Sequence, residues 1–157
     1  RLVIYSASYF TLVKGSVMSI ECSVVSKSRV LYSGEVYSIV LPGIEGDIGI
    51  LENHEPFMTY LKDGVIWGRV DGPDGAILSA ANMGGYVQVI GRRVLVLCDK
   101  TRYLNEIDLD LLHHIPLIEA RLKTAKENDF VAQSYLSRKL HWCNVQLAGK
   151  LKEDEYR

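Results

Sequence analysis

"LPGIEGDIGILENHEP", residues 41–56, decides how the rest of the chain reads. Four breakers, Pro42, Gly43, Gly46 and Gly49, precede Ile50, and four carboxylates, Glu45, Asp47, Glu52 and Glu55, share the stretch with His54. The apolar residues Ile44, Ile48, Ile50 and Leu51 are set among them. Glycine takes φ > 0 without steric cost, so such a segment reverses sharply at a sheet edge. The stretch reads as a stiff acidic loop with no catalytic partner beside its acids.

The sequence on both sides of it has the texture of strands. "SIECSVVS" alternates at Ile20, Cys22 and Val24, as a half-buried strand does. "GEVYSIVL" is β-branched and aromatic, and "GVIWGRV" and "GAILSAA" flank the hairpin signal "DGPDG". "GGYVQVI" and "RVLVLCD" flank a tight turn at Gly91-Arg92. Eight to ten strands between Ser19 and Lys100 predict an antiparallel β-sandwich, or flattened barrel.

The period changes near Asp108. Leu111, Ile115, Ile118, Leu122 and Ala125 form a helical stripe, with Asp108 and Asp110 suited to its N-terminus. "KENDF" interrupts it, and Leu136, Leu140, Cys143, Leu147 and Leu151 form a second stripe. Two stripes with a short polar joint predict an antiparallel helical hairpin. Pro116 costs roughly 3 kcal/mol inside a helix, so the first helix is expected to break near His114 after a short turn. The expected organisation is a sandwich over 18–103 and a helical hairpin over 104–157. Residues 1–17 precede Met18 and resemble a signal peptide only faintly, so they are read as upstream or artificially appended sequence.

Composition sets the wider limits. Of 157 residues, 48% are hydrophobic, enough for a packed core, and the net charge of −1 gives no global pull toward nucleic acid or anionic lipid. Three widely spaced cysteines, Cys22, Cys98 and Cys143, suggest reduced thiols in a cytosol-like compartment. No Gly-x-Ser-x-Gly turn is present, and "GIEGDIG" lacks the lysine and hydroxyl of a phosphate loop. His113 and His114 point about 100° apart on a helix and do not converge on one metal. Glu45 and Asp47 read more readily as solvated or interface carboxylates than as a catalytic dyad. Trp67 and Trp142 suit core or interface rather than base stacking.

Residues 33–66 carry a specific resemblance. Gly34-Glu35-Val36 leads to Gly43, Gly46, Gly49-Ile50, His54 and Pro56, then to Leu61 and Gly64. That pattern resembles the epsilon subunit of F-type ATP synthases, as do Gly84-Gly85-Tyr86-Val87-Gln88-Val89 with Val94–Leu97, and Ile107-Asp108 where the helices begin. The likeness covers about residues 20 to 151 and is most specific in the central block. Glu52-Asn53 stands where the family usually has Pro-Gly, and asparagine tolerates the left-handed turn better than most residues.

The resemblance implies a part of the rotating central stalk, not itself catalytic. It coupes proton flow through the c ring to ATP synthesis and sits at the cytoplasmic face of a bacterial inner membrane. Implied partners are the gamma subunit, the polar loops of the c ring, and the catalytic alpha/beta head reached by the hairpin; no nucleic acid and no cofactor are implied. Ile44, Glu45, Asp47 and His54 fall where the family meets the basic ring loops, with Asp47 foremost. An obligate-size apolar patch, above roughly 2,000 Å² in total interface, is expected for gamma. In bacterial members the hairpin also restrains ATP hydrolysis. Here Arg138, Lys139, Lys150 and Lys152, with no acid between Phe130 and Lys152, offer a basic face for an acidic segment of the head, or an ordinary solvated face. Leu111 and Leu112 replace the Arg-Ala of the ATP-binding members, so weak or no ATP binding is expected. The rival readings are a free-standing β-sandwich binding module with a helical tail and, more distantly, a small hydrolase using Glu45 and Asp47.

Overall fold

A computed structural model describes residues 19–156. The expectation for residues 1–17 lies outside the described residues.

Among the described residues ten strands form two five-stranded sheets. In chain order they are β1 (Ile20–Ser26), β2 (Val30–Val36), β3 (Ser38–Gly43), β4 (Gly46–Ile50), β5 (Phe57–Tyr60), β6 (Gly64–Arg69), β7 (Ile77–Met83), β8 (Tyr86–Ile90), β9 (Arg93–Cys98) and β10 (Lys100–Tyr103). One sheet runs β2-β1-β9-β8-β5, and the other β10-β7-β6-β3-β4. Neither closes on itself, so the architecture is a sandwich and not a flattened barrel. One pairing departs from the antiparallel expectation: β1 lies parallel to β9, with Glu21 opposite Arg93 and Val25 opposite Leu97. These strands are far apart in sequence, so no hairpin constrains their direction.

The alternation read in the sequence is the burial pattern. Ile20, Cys22 and Val24 face inward from β1, and Val87, Val89, Val94 and Val96 do so from β8 and β9. Ile39, Leu41, Ile50 and Ile66 answer them from the second sheet. Burying each such side chain contributes about 1.5–3 kcal/mol. The turn chemistry also holds. Gly91 at φ 59 closes β8–β9, and Asp71 and Gly72 take φ 62 and 118 in the β6–β7 connection.

A 3₁₀ turn, Leu104–Glu106, leads to two antiparallel helices, α1 (Leu111–Thr124) and α2 (Phe130–Leu151). Asp129 caps α2 by accepting from the Ala132 amide. The expected break at His114 does not occur, and Pro116 lies inside α1. The helix starts with tight bonds from the Leu111, Leu112 and His113 amides to Asp108, Leu109 and Asp110. Proline therefore removes one donor just past a first turn that is already secured, and Leu112, whose carbonyl loses that bond, is an exposed residue.

The two predicted stripes face inward in part. Ile118, Cys143 and Leu147 are buried, while Leu151 at the end of its stripe is 78% exposed. A second line on α2, offset from the stripe, meets the sandwich. Trp142 and Leu111 pack on a cluster of Val65, Ala81, Leu104 and Ile107, on the outer side of the β6–β7 sheet. The arm thus lies folded down on that sheet.

Candidate docking site

The acidic segment is only partly a loop. β3 and β4 pair from Ile39–Ile50 to Gly43–Gly46, leaving Ile44 and Glu45 as a two-residue turn. Gly46 uses its freedom at φ 134. Gly43 is glycine for a different reason: a Cβ there would lie 2.5 Å from the Gly46 carbonyl oxygen and 2.6 Å from Ile48 Cδ1. The tip is tied to the opposite sheet as well. The Ile44 amide donates to the Tyr60 carbonyl at 3.3 Å, Gly43 bridges to Leu61, and the Lys62 amide donates to the Pro42 carbonyl at 2.9 Å. Stiffness at this corner comes from bonds to two sheets, which lowers the entropy lost on docking.

Ile44 is 59% exposed and Tyr60 beside it 70%, so the corner presents apolar surface next to its acids. Glu45 at the tip and Asp47 on β4 are exposed, and neither enters an ion pair with the other described residues. His54 does not join them. It follows β4 at the far end, about 13 Å of strand from Gly46 at 3.3 Å per residue. There its ring lies 4.9 Å from Phe57 and its Nδ1 is 2.8 Å from the Glu55 carbonyl oxygen. The structure therefore groups Ile44, Glu45 and Asp47 and separates His54. Asn53 holds φ 64 in the intervening turn, as its tolerance of that region predicts.

The four cations, three on α2 and Lys152 at its C-cap, do not form one face. Arg138 donates to Asp99, which Lys27 also approaches at 3.1 Å. Lys150 donates to the Leu104 carbonyl at 3.0 Å and pairs with Glu153 at 2.7 Å. Lys139 and Lys152 are exposed. With the arm folded down, two of the four charges are spent on the chain's own contacts. Sequence reasoning missed the partners that hold this pose: Asp99, Asp63 with His141, and Arg102, which donates to the buried Gln146 at 3.2 Å. The signal was present in Trp142, Gln146 and Gly149, spaced four and three apart, but a search for apolar residues passes over a glutamine and a glycine.

The outer face of the other sheet carries a second feature. Register places Tyr60, Tyr86, Leu97, Val25 and Val30 in one row across all five strands, β5 to β2. Tyr60 and Val30 at its ends are 70% and 61% exposed. Two rows along, Ile90, Arg93, Glu21 and Glu35 make a charged border. The arm lies on the opposite sheet, so no described helix covers this row.

Fold and surfaces together define a docking protein: a stiff sandwich offering a corner and a face, with a helical arm that folds against it. Residues 19–102, more than half of the chain, match the family model described as ATP synthase, Delta/Epsilon chain, beta-sandwich domain. The ATP synthase epsilon chain of Psychrobacter cryohalolentis is 36% identical over 105 residues, 67% of this chain and 71% of the relative. That of Neisseria meningitidis serogroup C is 33% identical over 121 residues, 76% and 84% of the two chains. Among solved structures, a chain of the Euglena gracilis mitochondrial ATP synthase OSCP/F1/c-ring assembly superposes with a TM-score of 0.58 at 17% identity, over 87% of this chain and 80% of that one. A chain of the Tetrahymena thermophila mitochondrial ATP synthase central stalk/c-ring gives 0.51 at 16%, over 84% and 95%. The chain belongs to the epsilon-chain family of the F-type ATP synthases, and so to a component of that membrane-associated complex.

Proposed function

We propose that this chain is a central-stalk rotor subunit, which couples proton flow through the c ring to ATP synthesis by binding gamma and the ring. It performs no chemistry itself; catalysis belongs to the alpha/beta head. The observation that carries the reading is the corner at Ile44, Glu45 and Asp47, anchored to both sheets and bearing carboxylates that pair with no cation among the described residues. Such a corner suits the basic polar loops of a ring that must turn with it. His54 takes no part in that contact. Gamma is assigned to the open row from Tyr60 to Val30, whose apolar centre and charged border have the anatomy of a protein interface.

Functionally the chain divides into a sandwich over 18–103, which docks, and a hairpin over 104–157, which regulates. The hairpin restrains ATP hydrolysis when it leaves the sandwich and reaches the head, where Arg138 and Lys150 become available beside Lys139 and Lys152. ATP binding by the hairpin is weak or absent. Identities of 33–36% to bacterial epsilon chains support a place at the cytoplasmic face of a bacterial inner membrane.

Co-purification tests the reading. The chain should bring down gamma and the ring, whereas a free-standing sandwich module would bring down neither. Deleting residues 109–157 should leave assembly intact and raise ATP hydrolysis. A cut after Lys100 would not be informative, because it removes all but the first residue of β10 and the buried Leu104 and Ile107.

A further inference from the structure

Gly49 is unlike the other described glycines. Each of those either holds a positive φ or sits where an added Cβ would touch a neighbour within 4 Å. Gly34, Gly43, Gly64, Gly68, Gly75 and Gly149 meet such neighbours, and the rest turn at positive φ. Gly49 has ordinary strand geometry and nothing within 4 Å of an added Cβ. A glycine inside a strand weakens it, through backbone entropy and the lost side chain. Among the described residues nothing gives a reason for one here.

Its position supplies a reason outside the chain. Among the described residues β4 ends its sheet and pairs only with β3. Pro42 turns its carbonyl away from β4 to accept from the Lys62 amide. Proline also has no amide to give, so the Pro42–Asp47 pair is one of the non-hydrogen-bonded pairs of the ladder. Alternation then points the main-chain groups of Asp47, and of Gly49 two residues on, out of the open edge. Asp47 and Gly49 are both exposed and lie on the same side of the strand, while Ile48 and Ile50 turn inward. Strand glycines of this kind mark places where another backbone comes close.

We propose that the ring's polar loop lays its main chain across the edge of β4 at Gly49, hydrogen-bonding the exposed peptide groups of Asp47 and Gly49 while the Asp47 carboxylate meets a basic side chain of the same loop. The occupant is fixed by charge and continuity. Between Gly43 and Leu61 the chain carries four carboxylates and neither lysine nor arginine, and Gly49 adjoins the acidic corner. The inference rests on the ring-docking assignment above and adds its binding mode: the missing side chain at Gly49 is a specificity element, since a Cβ there would project from the face that Asp47 shares, into the open space that a loop folding over this edge strand would fill.

Three variants of the full chain, in complex with gamma, separate the possibilities: Gly49→Ala, Gly49→Val and Asp47→Asn. Each is assayed for thermal midpoint and for binding to the detergent-solubilised c ring of the matching synthase. Both glycine variants should keep or raise the midpoint and bind the ring about tenfold more weakly, the scale of one lost main-chain hydrogen bond. If Gly49→Ala lowers the midpoint, the glycine serves the chain's own fold and the inference is overturned. If both glycine variants bind at full strength while Asp47→Asn weakens binding, the backbone contact is wrong and ring docking stands. Full-strength binding by all three removes both.

Discussion

Gly149 of α2 rests directly on Val65 of β6. A Cβ built on the glycine would lie 3.2 Å from Val65 Cγ2, with Leu104 Cδ2 at 3.1 Å and the Ala81 Cβ at 3.4 Å. The folded arm is therefore seated by the absence of a side chain, over a cluster that the sandwich and the 3₁₀ turn build together. Gly149→Val should overpack this seat at a cost of about 1–3 kcal/mol and loosen the arm without unfolding the sheets. Hydrogen exchange should show lost protection in α2 and unchanged protection in β1, β8 and β9. Unchanged protection in α2 would show that the seat is not what holds the arm.

A second contact holding the arm is ionic. Asp99 accepts from Lys27 and from Arg138, and these two cations, against a smaller opposing effect of burial, hold its carboxyl below the usual range. A depressed carboxylate stabilises the folded state above its unfolded pKa of about 3.9, and that contribution is lost as pH falls through the lower folded value. Asp99→Asn should remove this acid-side dependence and increase proteolytic access to the α1–α2 joint at neutral pH. An arm equally protected in the variant would mean that Arg138 contributes nothing to the pose, as exposed ion pairs often do.

The sandwich was legible in the sequence because one physical signal, alternation of period two, is written into every strand that has a wet face. Ile20, Cys22 and Val24 carried β1, and glycine turns at 72 and 91 placed two hairpins. The parallel pairing of β1 and β9 was not legible, since two distant strands carry no local mark of direction. Nor was the separation of His54 from Glu45, because closeness in sequence along an extended strand is distance in space. The docking line of α2 was hidden for a third reason. Its residues are a tryptophan, a glutamine and a glycine, chosen to fit a particular surface rather than to be apolar.

Asn53 offers a test of the turn chemistry. It stands at φ 64, where a β-branched side chain is strained. Asn53→Gly should leave stability nearly unchanged, and Asn53→Val should cost about 1–2 kcal/mol in a denaturant melt. Equal stability of the two would show that the turn relaxes to a different conformation.

The buried cysteines predict an alkaline limit. Burial pushes the thiols of Cys22 and Cys98 up to about 12. The folded state thus favours the neutral thiol, and its stability is complete below the unfolded thiol pKa of about 8.5. Above that, up to about 12, the unfolded chain loses protons that the folded chain keeps, and stability falls. Cys22→Ala and Cys98→Ala together should flatten this alkaline slope while costing some packing. In the native parent at pH 8, a thiol reagent should label neither residue until denaturant is added. Rapid native labelling of Cys22 would contradict a closed interior between the two sheets.

The acidic corner should act more on the rate of docking than on its lifetime. Glu45 and Asp47 are exposed, so their attraction to a basic loop is screened by salt, with a Debye length of about 8 Å at physiological ionic strength. Rim charges of this kind steer association and affect dissociation little. Glu45→Gln and Asp47→Asn together should slow association of the gamma-bound chain with the ring several-fold at low salt, and the loss should shrink as salt is raised. Ile44→Ser, which removes an apolar contact instead, should speed dissociation with little dependence on salt. Surface-based kinetics at two ionic strengths resolve the two effects. If the acid variants change dissociation alone, the carboxylates are desolvated inside the contact and the corner is an interface core rather than its rim.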